Sequence, residues 1–391
     1  MNKKKKILFV EYCADLKAGG AQRVFLNILN SFDNNTYSIF AAFPKVPDGA
    51  MAAEVPDHVG QFSYDSKSPD GSHNKLWAYF IFALFIPIIV LRWCRVIKRD
   101  KIEVVYVHSI ISGFHFSLVK CFVNFKLIYH EHNMASQRPN MILWRWLFDF
   151  VAYKSDRVIA ISKSVAESLK NFGVAEEKIA VIHNGIDLTV NEAREELRIR
   201  GLKRLKVDSK DPALLVGMVG HFRPWKGQQL FIESLPTVLK ADQNIHYVLV
   251  GGVQDQAYYQ STLDYIVEHD LAEKVTITGH QDDTLELIAC LDVVVVPSVP
   301  EPFGLVLLES MMMHKPVVAF NMGGPTEIVQ HRETGLLVSE VSASALGLAI
   351  AELAVCRELR ERLGRQGRRR VEDYFTNRAQ IKQIEQLVAD I

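Results

Sequence analysis

Short apolar runs alternate with longer amphipathic stretches along the chain. Runs rich in Val, Ile and aromatic residues that end in a polar turn predict buried strands. In the first half of the chain these runs lie at 5–12, 37–43, 104–108, 126–132 and 157–162. Helical patterns separate them, and one opens at Gly19-Gly20 and continues to about Phe32. Strands that alternate with helices predict an α/β fold with parallel, doubly wound sheet.

The same rhythm restarts in the second half of the chain. Further apolar runs lie at 213–220, 245–252, 274–279, 292–298 and 316–320. A length of 391 residues exceeds the size at which one core usually stops growing, so two domains are expected. We predict two Rossmann-like domains that face each other across a cleft, with ligands at the strand carboxyl ends. The expected bounds are 1–190 for the first domain, 191–211 for a linker, 212–372 for the second domain, and 373–391 for a terminal helix that can pack back on the first domain.

Charge and cysteine content narrow the class of protein only slightly. Residues 1–189 contain 23 Lys+Arg and 17 Asp+Glu, a net of +6, and the rest of the chain nets −6. A basic half suits an anionic partner such as a membrane surface, although chance asymmetry on solvated faces explains it equally well. The five cysteines are scattered and none has CxxC spacing, which favours reduced thiols in the cytosol. The basic start is followed by a first strand rather than by a signal peptide.

One apolar segment, residues 76–91, stands apart from the soluble pattern. Its 16 uncharged residues would span about 24 Å as a helix, less than the ~30 Å hydrocarbon core of a bilayer. Pro87 interrupts it, and Arg92, Arg95, Lys98 and Arg99 follow. We interpret it as a helix that is partly core and partly membrane-facing, with its basic end at lipid phosphates. A wholly buried helix and a true membrane span are the alternatives.

Polar motifs follow several of the predicted strands. The most informative runs from Glu301 to Glu309, EPFGLVLLE, after the strand at 292–298. Gly304 should begin a helix whose free N–H groups form an anion site suited to a diphosphate. The two carboxylates can accept hydrogen bonds from sugar or ribose hydroxyls. By itself, Glu309 would be read as a solvated helix residue.

A second motif, GHFRPWKG, covers residues 220–227. Arg223 and Lys226 are three residues apart near a helix start, so both can reach one phosphate group. Gly19-Gly20 follows the first strand and permits close approach of the backbone to a ligand. Taken singly, the two cations suit a solvent-exposed loop and the glycine pair suits an ordinary turn.

Histidines end two strands of the first half. His130, His132 and Asn133 close one strand, and His108 closes another. Two histidines two residues apart suggest a metal, but they share one face of a strand with no third ligand in view. A structural role is the alternative for at least one of them. Asn184-Gly185 lies in a turn just before the linker.

Together these motifs resemble glycosyltransferase family 4, which has the two-domain GT-B architecture. The resemblance extends over nearly the whole chain, and its most specific element is the pair of glutamates in EPFGLVLLE. The segments KIAVIHNGID, VGHFRPWKG, NMGGPTEIV and ETGLLV occur in the family's order. Many members have Arg directly after the glycine of the second motif, where this chain has His221, so the assignment of cations to phosphates is open.

The resemblance implies a role for each matched residue. Arg223 and Lys226 would hold the donor diphosphate, Glu309 the ribose, and Glu301 the transferred sugar. The backbone amides of Phe303, Gly304 and Leu305 would help Glu301 to hold the sugar. The base would be bordered by Gly279, His280 and Gln281. Gly20 would approach the phosphate. His132, preferred over His130 because it directly precedes Asn133, would lie beside the reacting carbon. His108, His130 and Asn133 are candidates for the acceptor side.

The resemblance therefore implies a retaining glycosyltransferase, and we expect it to be metal-independent and to need no cofactor. The absence of any Asp-x-Asp triplet fits the lack of a metal. The expected donor is a UDP-sugar, with UDP-glucose favoured by its frequency in the family, and the expected acceptor is a lipid-linked or polysaccharide glycan. No nucleic acid partner is indicated and the oligomeric state is open. Three alternatives are a nucleotide-sugar-binding protein without activity, a sugar-nucleotide epimerase and a nicotinamide oxidoreductase, the last disfavoured because no Gly-x-Gly-x-x-Gly occurs.

Overall fold

The computed structural model describes most of the chain and divides it into two compact units. The described residues are 4–12, 19–44, 50–64, 75–134, 142–187, 193–206 and 214–391, with side chains omitted at 50–51, 75–83 and 142–144. The first unit contains Met1–Gly185 and Asn377–Ile391, and the second contains Ile186–Thr376. Parts of the predicted linker, 191–192 and 207–211, and the side chain of Trp144 lie outside the described residues.

The first unit is built on a seven-stranded parallel sheet in the order β3-β2-β1-β4-β5-β6-β7. Its strands are β1 Lys5–Val10, β2 Tyr37–Pro44, β3 Gly60–Tyr64, β4 Val104–Val107, β5 Lys126–Glu131, β6 Arg157–Ala160 and β7 Ile179–Val181. Its helices are α1 Gly20–Ser31, α2 Ala50–Glu54, α3 Lys75–Asp100, α4 Ile110–Val119, α5 Ile142–Lys154, α6 Lys163–Asn171 and, from the end of the chain, α15 Asn377–Ala389.

The second unit contains a six-stranded parallel sheet in the order β10-β9-β8-β11-β12-β13. Its strands are β8 Leu214–Val219, β9 Ile245–Val250, β10 Val275–Ile277, β11 Val293–Val296, β12 Val317–Phe320 and β13 Leu336–Val338. Its helices are α7 Arg194–Leu205, α8 Gln228–Leu239, α9 Gln256–Glu268, α10 Leu285–Cys290, α11 Leu305–Met312, α12 Pro325–Ile328, α13 Ala343–Val355 and α14 Arg357–Tyr374.

This architecture confirms the predicted α/β class with two doubly wound parallel sheets. The central strands carry apolar side chains on both faces, as parallel strands covered by helices require. All four residues of β4 and of β11 are buried. The expected runs became strands within a few residues, whereas β3, β7 and β13 were not among the expected strands. Because all the strand pairs are parallel, the carboxyl ends of the strands lie along one edge of each sheet.

The stretch expected to be a linker differs from that expectation, because most of it is helix α7 and belongs to the second unit. A Cβ added to Gly201 would lie 2.1 Å from the backbone oxygen of Glu286, so α7 and α10 are in direct backbone contact. Arg200 and Arg204 pair with the Glu286 carboxylate, and these partners lower its pKa. Arg198 donates to the Cys290 carbonyl. The charged pattern that suggested a linker therefore serves contacts along one helix.

The terminal helix α15 completes the first unit. It packs on α1, with Ile381, Ile384 and Val388 buried. Gln380, 2% exposed, accepts a hydrogen bond from the Gly185 N–H at 2.9 Å and donates to Asn184 Oδ1 at 3.1 Å. The buried Gln380 side chain thus provides hydrogen-bond partners for Asn184 and Gly185, in the turn that ends the N-terminal segment of the first unit.

Replacing Gln380 by Ala should destabilise the first unit by roughly 1–3 kcal/mol, because a buried backbone N–H loses its acceptor. Chemical denaturation followed by tryptophan fluorescence measures this, since four of the five tryptophans (77, 93, 144 and 146) precede residue 186. The control is Gln386→Ala, whose side chain bonds only Asp390 on the surface. Equal midpoints for the two variants would show that Gln380 has no such role.

Candidate functional site

A partly buried ion pair lies at the carboxyl edge of the second sheet. Glu301 follows β11 and is 6% exposed, and its Oε2 lies 2.8 Å from Lys226 Nζ. Lys226 closes a short 3-10 helix, Pro224–Lys226, in the loop after β8. Because β8 and β11 are adjacent parallel strands, their following loops meet and place the two residues together. The Lys226 ammonium also lies 4.2 Å from the ring centroid of Trp225.

A glycine pair after β12 holds the Glu301 loop from the other side. The Gly324 N–H donates to the Glu301 carbonyl at 2.8 Å. A Cβ on Gly324 would lie 2.3 Å from the Phe303 Cα. A Cβ on Gly323, which has φ +65°, would lie 2.4 Å from the backbone carbonyl oxygen of Glu301. Only glycine fits at both positions.

Helix α11 begins beside the ion pair. Gly304, with φ +104°, is its N-cap, and the Leu307 N–H donates to the Gly304 carbonyl at 2.9 Å. Geometry leaves the first N–H groups of any helix without intrahelical acceptors, and the helix dipole adds positive potential there. Phe303 is buried, Leu305 is partly exposed, and Glu309 lies one turn into the helix, also partly exposed.

Loops after β8, β9 and β10 form a second cluster at the same edge. The rings of His221 and His280 stack with centroids 5.9 Å apart and planes within 4°. The Gly251 N–H donates to the Gly279 carbonyl at 3.0 Å, and Gly279 has φ +71°. A Cβ on Gly252 would lie 3.3 Å from His280 Cβ. The structure therefore places Gly279 and His280 beside His221.

Two predicted donor-binding side chains have less direct positions. Gln281 donates to the Thr278 carbonyl at 3.1 Å and accepts from Arg204 of α7, so its amide is already engaged within the second unit. Arg223 is exposed at the loop tip after β8. Both residues lie in loops at the carboxyl edge of the second sheet, and the Arg223 side chain is exposed to solvent.

A buried histidine cluster lies at the carboxyl edge of the first sheet. His108 Nδ1 and His132 Nε2 share a hydrogen bond of 3.0 Å, and Tyr106 Oη and His130 Nδ1 share one of 2.9 Å. Burial lowers the pKa of His108 and of His130 well below the usual range, and it lowers the pKa of His132 to about 4. All three imidazoles are therefore neutral near pH 7.

The other predicted residues of the first unit are Gly20 and Asn133. Gly20 begins α1, and Phe25 of that helix directs its ring edge at His108 with centroids 5.1 Å apart. Asn133 is exposed, and its N–H donates to Glu131 Oε1 at 3.0 Å. The Glu131 carboxylate also accepts from Tyr129 at 2.6 Å. The turn that carries His132 and Asn133 is thus fixed by a buried carboxylate.

Sequence reasoning left Gly323, Gly324, Trp225 and Tyr106 out of the site. The glycine pair directly after a buried strand was the available signal for the first two. For Tyr106, the signal was alternation, because residues two apart on a strand share one face. Tyr106 in β4 and His108, which directly follows it, therefore share a face with His130 in the adjacent β5 and with His132 just after that strand.

Comparison with known proteins identifies the family. The pattern of the group 1 glycosyl transferases matches residues 201–370, and that of glycosyltransferase family 4 matches residues 18–190. The chain belongs to glycosyltransferase family 4, within the group 1 glycosyltransferases.

Individual relatives match only part of the chain. An uncharacterized glycosyltransferase of Methanocaldococcus jannaschii is 34% identical over 192 residues, 48% of this chain and 47% of that protein. The UDP-Gal:alpha-D-GlcNAc-diphosphoundecaprenol alpha-1,3-galactosyltransferase of Escherichia coli is 24% identical over 260 residues, 62% of this chain and 64% of that protein. The chain thus spans about half to two thirds of these relatives.

The fold is shared over the full length with solved structures. Anabaena HepE, crystallised in complex with UDP and glucose, superposes with a TM-score of 0.83 at 20% identity, covering 99% of this chain and 100% of HepE. At this identity the likeness establishes the GT-B fold.

Substituting Gly324 by Ala should destabilise the second unit by about 1–3 kcal/mol, because the new methyl group displaces the Phe303 backbone. Calorimetric unfolding of the full chain gives the measurement. Gly220→Ala is the matched control, since its Cβ would meet only the Lys226 side chain, at 3.5 Å. If Gly324→Ala unfolds like the control, the two loops do not pack as described.

Proposed function

We propose that the protein transfers a hexose from a nucleotide sugar to an acceptor hydroxyl with retention of anomeric configuration. The observation that carries this proposal is the Lys226–Glu301 pair beside the start of α11. It combines a cation, a carboxylate and oriented N–H groups at the strand ends of a doubly wound sheet, where such folds bind nucleotides.

The donor is proposed to be a UDP-sugar, with UDP-glucose as the first candidate. The E. coli relative is named for UDP-Gal, and HepE was crystallised with UDP and glucose. Lys226 and the exposed Arg223 would contact the diphosphate, Glu309 would contact the ribose, and Gly279, His280 and Gln281 would contact the base. Glu301 and the amides of Phe303, Gly304 and Leu305 would hold the sugar, and Gly20 would approach the phosphate.

The chemical demand is negative charge that grows on the leaving diphosphate. In the proposed reaction the bond from the anomeric carbon to the diphosphate breaks and a bond to the acceptor oxygen forms on the same face. The acceptor proton passes to the leaving phosphate. Lys226, Arg223 and the α11 amides supply the positive potential that lowers the barrier, so no divalent metal is required in this mechanism.

His132 would act as a neutral hydrogen-bonding group beside the reacting carbon. Its pKa of about 4 keeps the ring uncharged throughout the physiological range. An uncharged ring can donate to or accept from a sugar hydroxyl without adding positive charge next to a carbon that becomes electron-poor. His108, His130 and Asn133 remain candidates for contacts on the acceptor side.

The acceptor is proposed to be a lipid-linked glycan met at a membrane surface, in envelope or polysaccharide synthesis. Within the described residues, the helices include none with both the length and the apolar character needed to cross a bilayer. The name of the E. coli relative specifies a diphosphoundecaprenol substrate. A peripheral position on the inner face of the cytoplasmic membrane would bring such an acceptor to the enzyme.

Helix α3 supports the membrane proposal through one exposed stripe. Leu84, Ile88 and Leu91 are each more than half exposed, and Arg95 and Lys98 continue the same spacing toward the helix end. Steps of three and four residues keep all five on one face. On the opposite side Trp93 and Ile97 are 2% exposed. Apolar side chains followed by cations suit insertion at an anionic bilayer surface.

Lys226→Ala should lower kcat by about 100- to 1,000-fold, because one charge-stabilising donor is lost at the leaving group. The measurement is release of UDP from UDP-glucose and related UDP-sugars in the presence of EDTA. Lys240→Ala, an exposed lysine at the end of α8, is the control. Turnover by Lys226→Ala equal to that of Lys240→Ala, or a rate that returns only with added magnesium, would count against the proposal.

Leu91→Asp should weaken binding to phosphatidylglycerol vesicles by at least about tenfold, because an inserted apolar side chain contributes roughly 1.5–3 kcal/mol. Vesicle flotation at low and high salt measures it, and binding of the wild type should fall as salt rises. Leu348→Asp, on a residue 63% exposed on α13, is the matched control. If the wild-type protein does not float with the vesicles at low salt, the proposed contact between the exposed stripe of α3 and the membrane is wrong.

A further inference from the structure

Three histidines of the first unit lie closer together than their sequence positions indicated. One ring nitrogen from each of His108, His130 and His132 lies within 4.8 Å of those of the other two. Two adjacent strands position them, since His108 directly follows β4, His130 lies in β5 and His132 directly follows β5. The third ligand that the sequence did not reveal is therefore present.

Two nitrogens of this cluster have no hydrogen-bond partner among the described residues. They are Nε2 of His108 and Nε2 of His130, and the residues are 6% and 0% exposed. Buried polar atoms normally find a partner, so an orphan nitrogen inside a histidine cluster calls for an explanation. A metal ion bound to Nε2 of His130 would give that nitrogen a partner.

We propose that His108, His130 and His132 form a binding site for a nitrogen-preferring divalent transition-metal ion of the Zn²⁺ or Co²⁺ class. Neutral imidazoles are the ligand form that such ions require. Mg²⁺ and Ca²⁺ prefer oxygen ligands and would not bind here. The three residues supply three ligands and leave one coordination position open to solvent or substrate.

The ion would replace the proton that His108 and His132 now share. Their bonded nitrogens, Nδ1 and Nε2, are 3.0 Å apart. In a tetrahedral site with metal–nitrogen bonds of about 2.0–2.1 Å, ligand nitrogens lie roughly 3.4 Å apart, so this pair needs little adjustment. The shared proton moves to Nδ1 of His132, the partly exposed histidine, and each ring stays neutral. His130 has to approach by a small ring movement.

Tyr106 would orient the third ligand. When His130 binds through the unpartnered Nε2, its Nδ1–H donates to Tyr106 Oη, at the observed 2.9 Å. Metal-bound histidines usually donate their other N–H to such a partner, and removing it costs ~10–100-fold in affinity. The partial exposure of His132 gives the ion a route from solvent.

The consequence for activity is inhibition. A bound ion would withdraw His132 from the sugar, so micromolar zinc should slow transfer and EDTA should restore it. This consequence alone rests on the proposed function. Ion binding itself is independent of it, and the two can fail separately.

Titration of the metal-free full chain with Co²⁺, followed by visible absorption, tests the site directly. The wild type should show saturable tetrahedral ligand-field bands from one ion, lost on adding Zn²⁺ and unaffected by excess Mg²⁺. Tyr106→Phe should bind Co²⁺ at least about tenfold more weakly. His132→Ala, which removes the most exposed ligand, should lose the bands while circular dichroism stays that of a folded protein.

His246→Gln is the matched control, because this histidine belongs to the second unit and bonds Thr276. It should retain the wild-type spectrum and affinity. Wild-type protein that shows only weak octahedral absorption, or bands that persist unchanged in His132→Ala, would overturn the site. Intact bands without zinc inhibition would leave the ion site standing and count against the proposed role of His132.

Discussion

The site of the second unit depends on a single contact, the ion pair between the partly exposed Lys226 and the buried Glu301. A carboxylate that is 6% exposed is stable only if a charge or several hydrogen bonds replace its water. Lys226 supplies the charge at 2.8 Å, but only while two loops from adjacent strands meet. Gly323 and Gly324 then fix the Glu301 backbone, because no larger residue fits against it. The contact between Lys226 and Glu301 thus depends on the order of the strands in the sheet.

The fold was predictable because parallel strands have a strong signal in sequence. Strands such as β1, β4 and β11, buried on both faces, appear as unbroken apolar runs. The edge strands β3, β7 and β13 have only three to five residues, too few to give a distinct periodic signal, so they were not among the predicted strands. Helix α7 was mistaken for part of a linker because its partners, Glu286 and Cys290, lie about 90 residues further along the chain. Local patterns contain no information about such contacts.

The candidate site was predictable at the level of loops and less so at the level of atoms. The motifs around Lys226 and Glu301 lie next to each other, as expected from their positions after strands. That Lys226 contacts Glu301 directly, and that Arg204 occupies the amide of Gln281, depends on side-chain positions that only three-dimensional packing sets. The histidine cluster has the same character. The sequence suggested His130 and His132 as a pair and His108 separately, but the pairing of β4 with β5 was needed to see that these three and Tyr106 form one group.

The discontinuous first unit has a consequence for synthesis on the ribosome. Its sheet is complete once β7 has emerged, yet helix α15 and the buried Gln380 contact arrive only after the whole second unit has been translated. The surface of α1 that α15 covers therefore stays open to solvent through the synthesis of about half the chain. The second unit is a continuous segment and can reach its native state first. The first unit therefore becomes fully native only after the second unit has been translated.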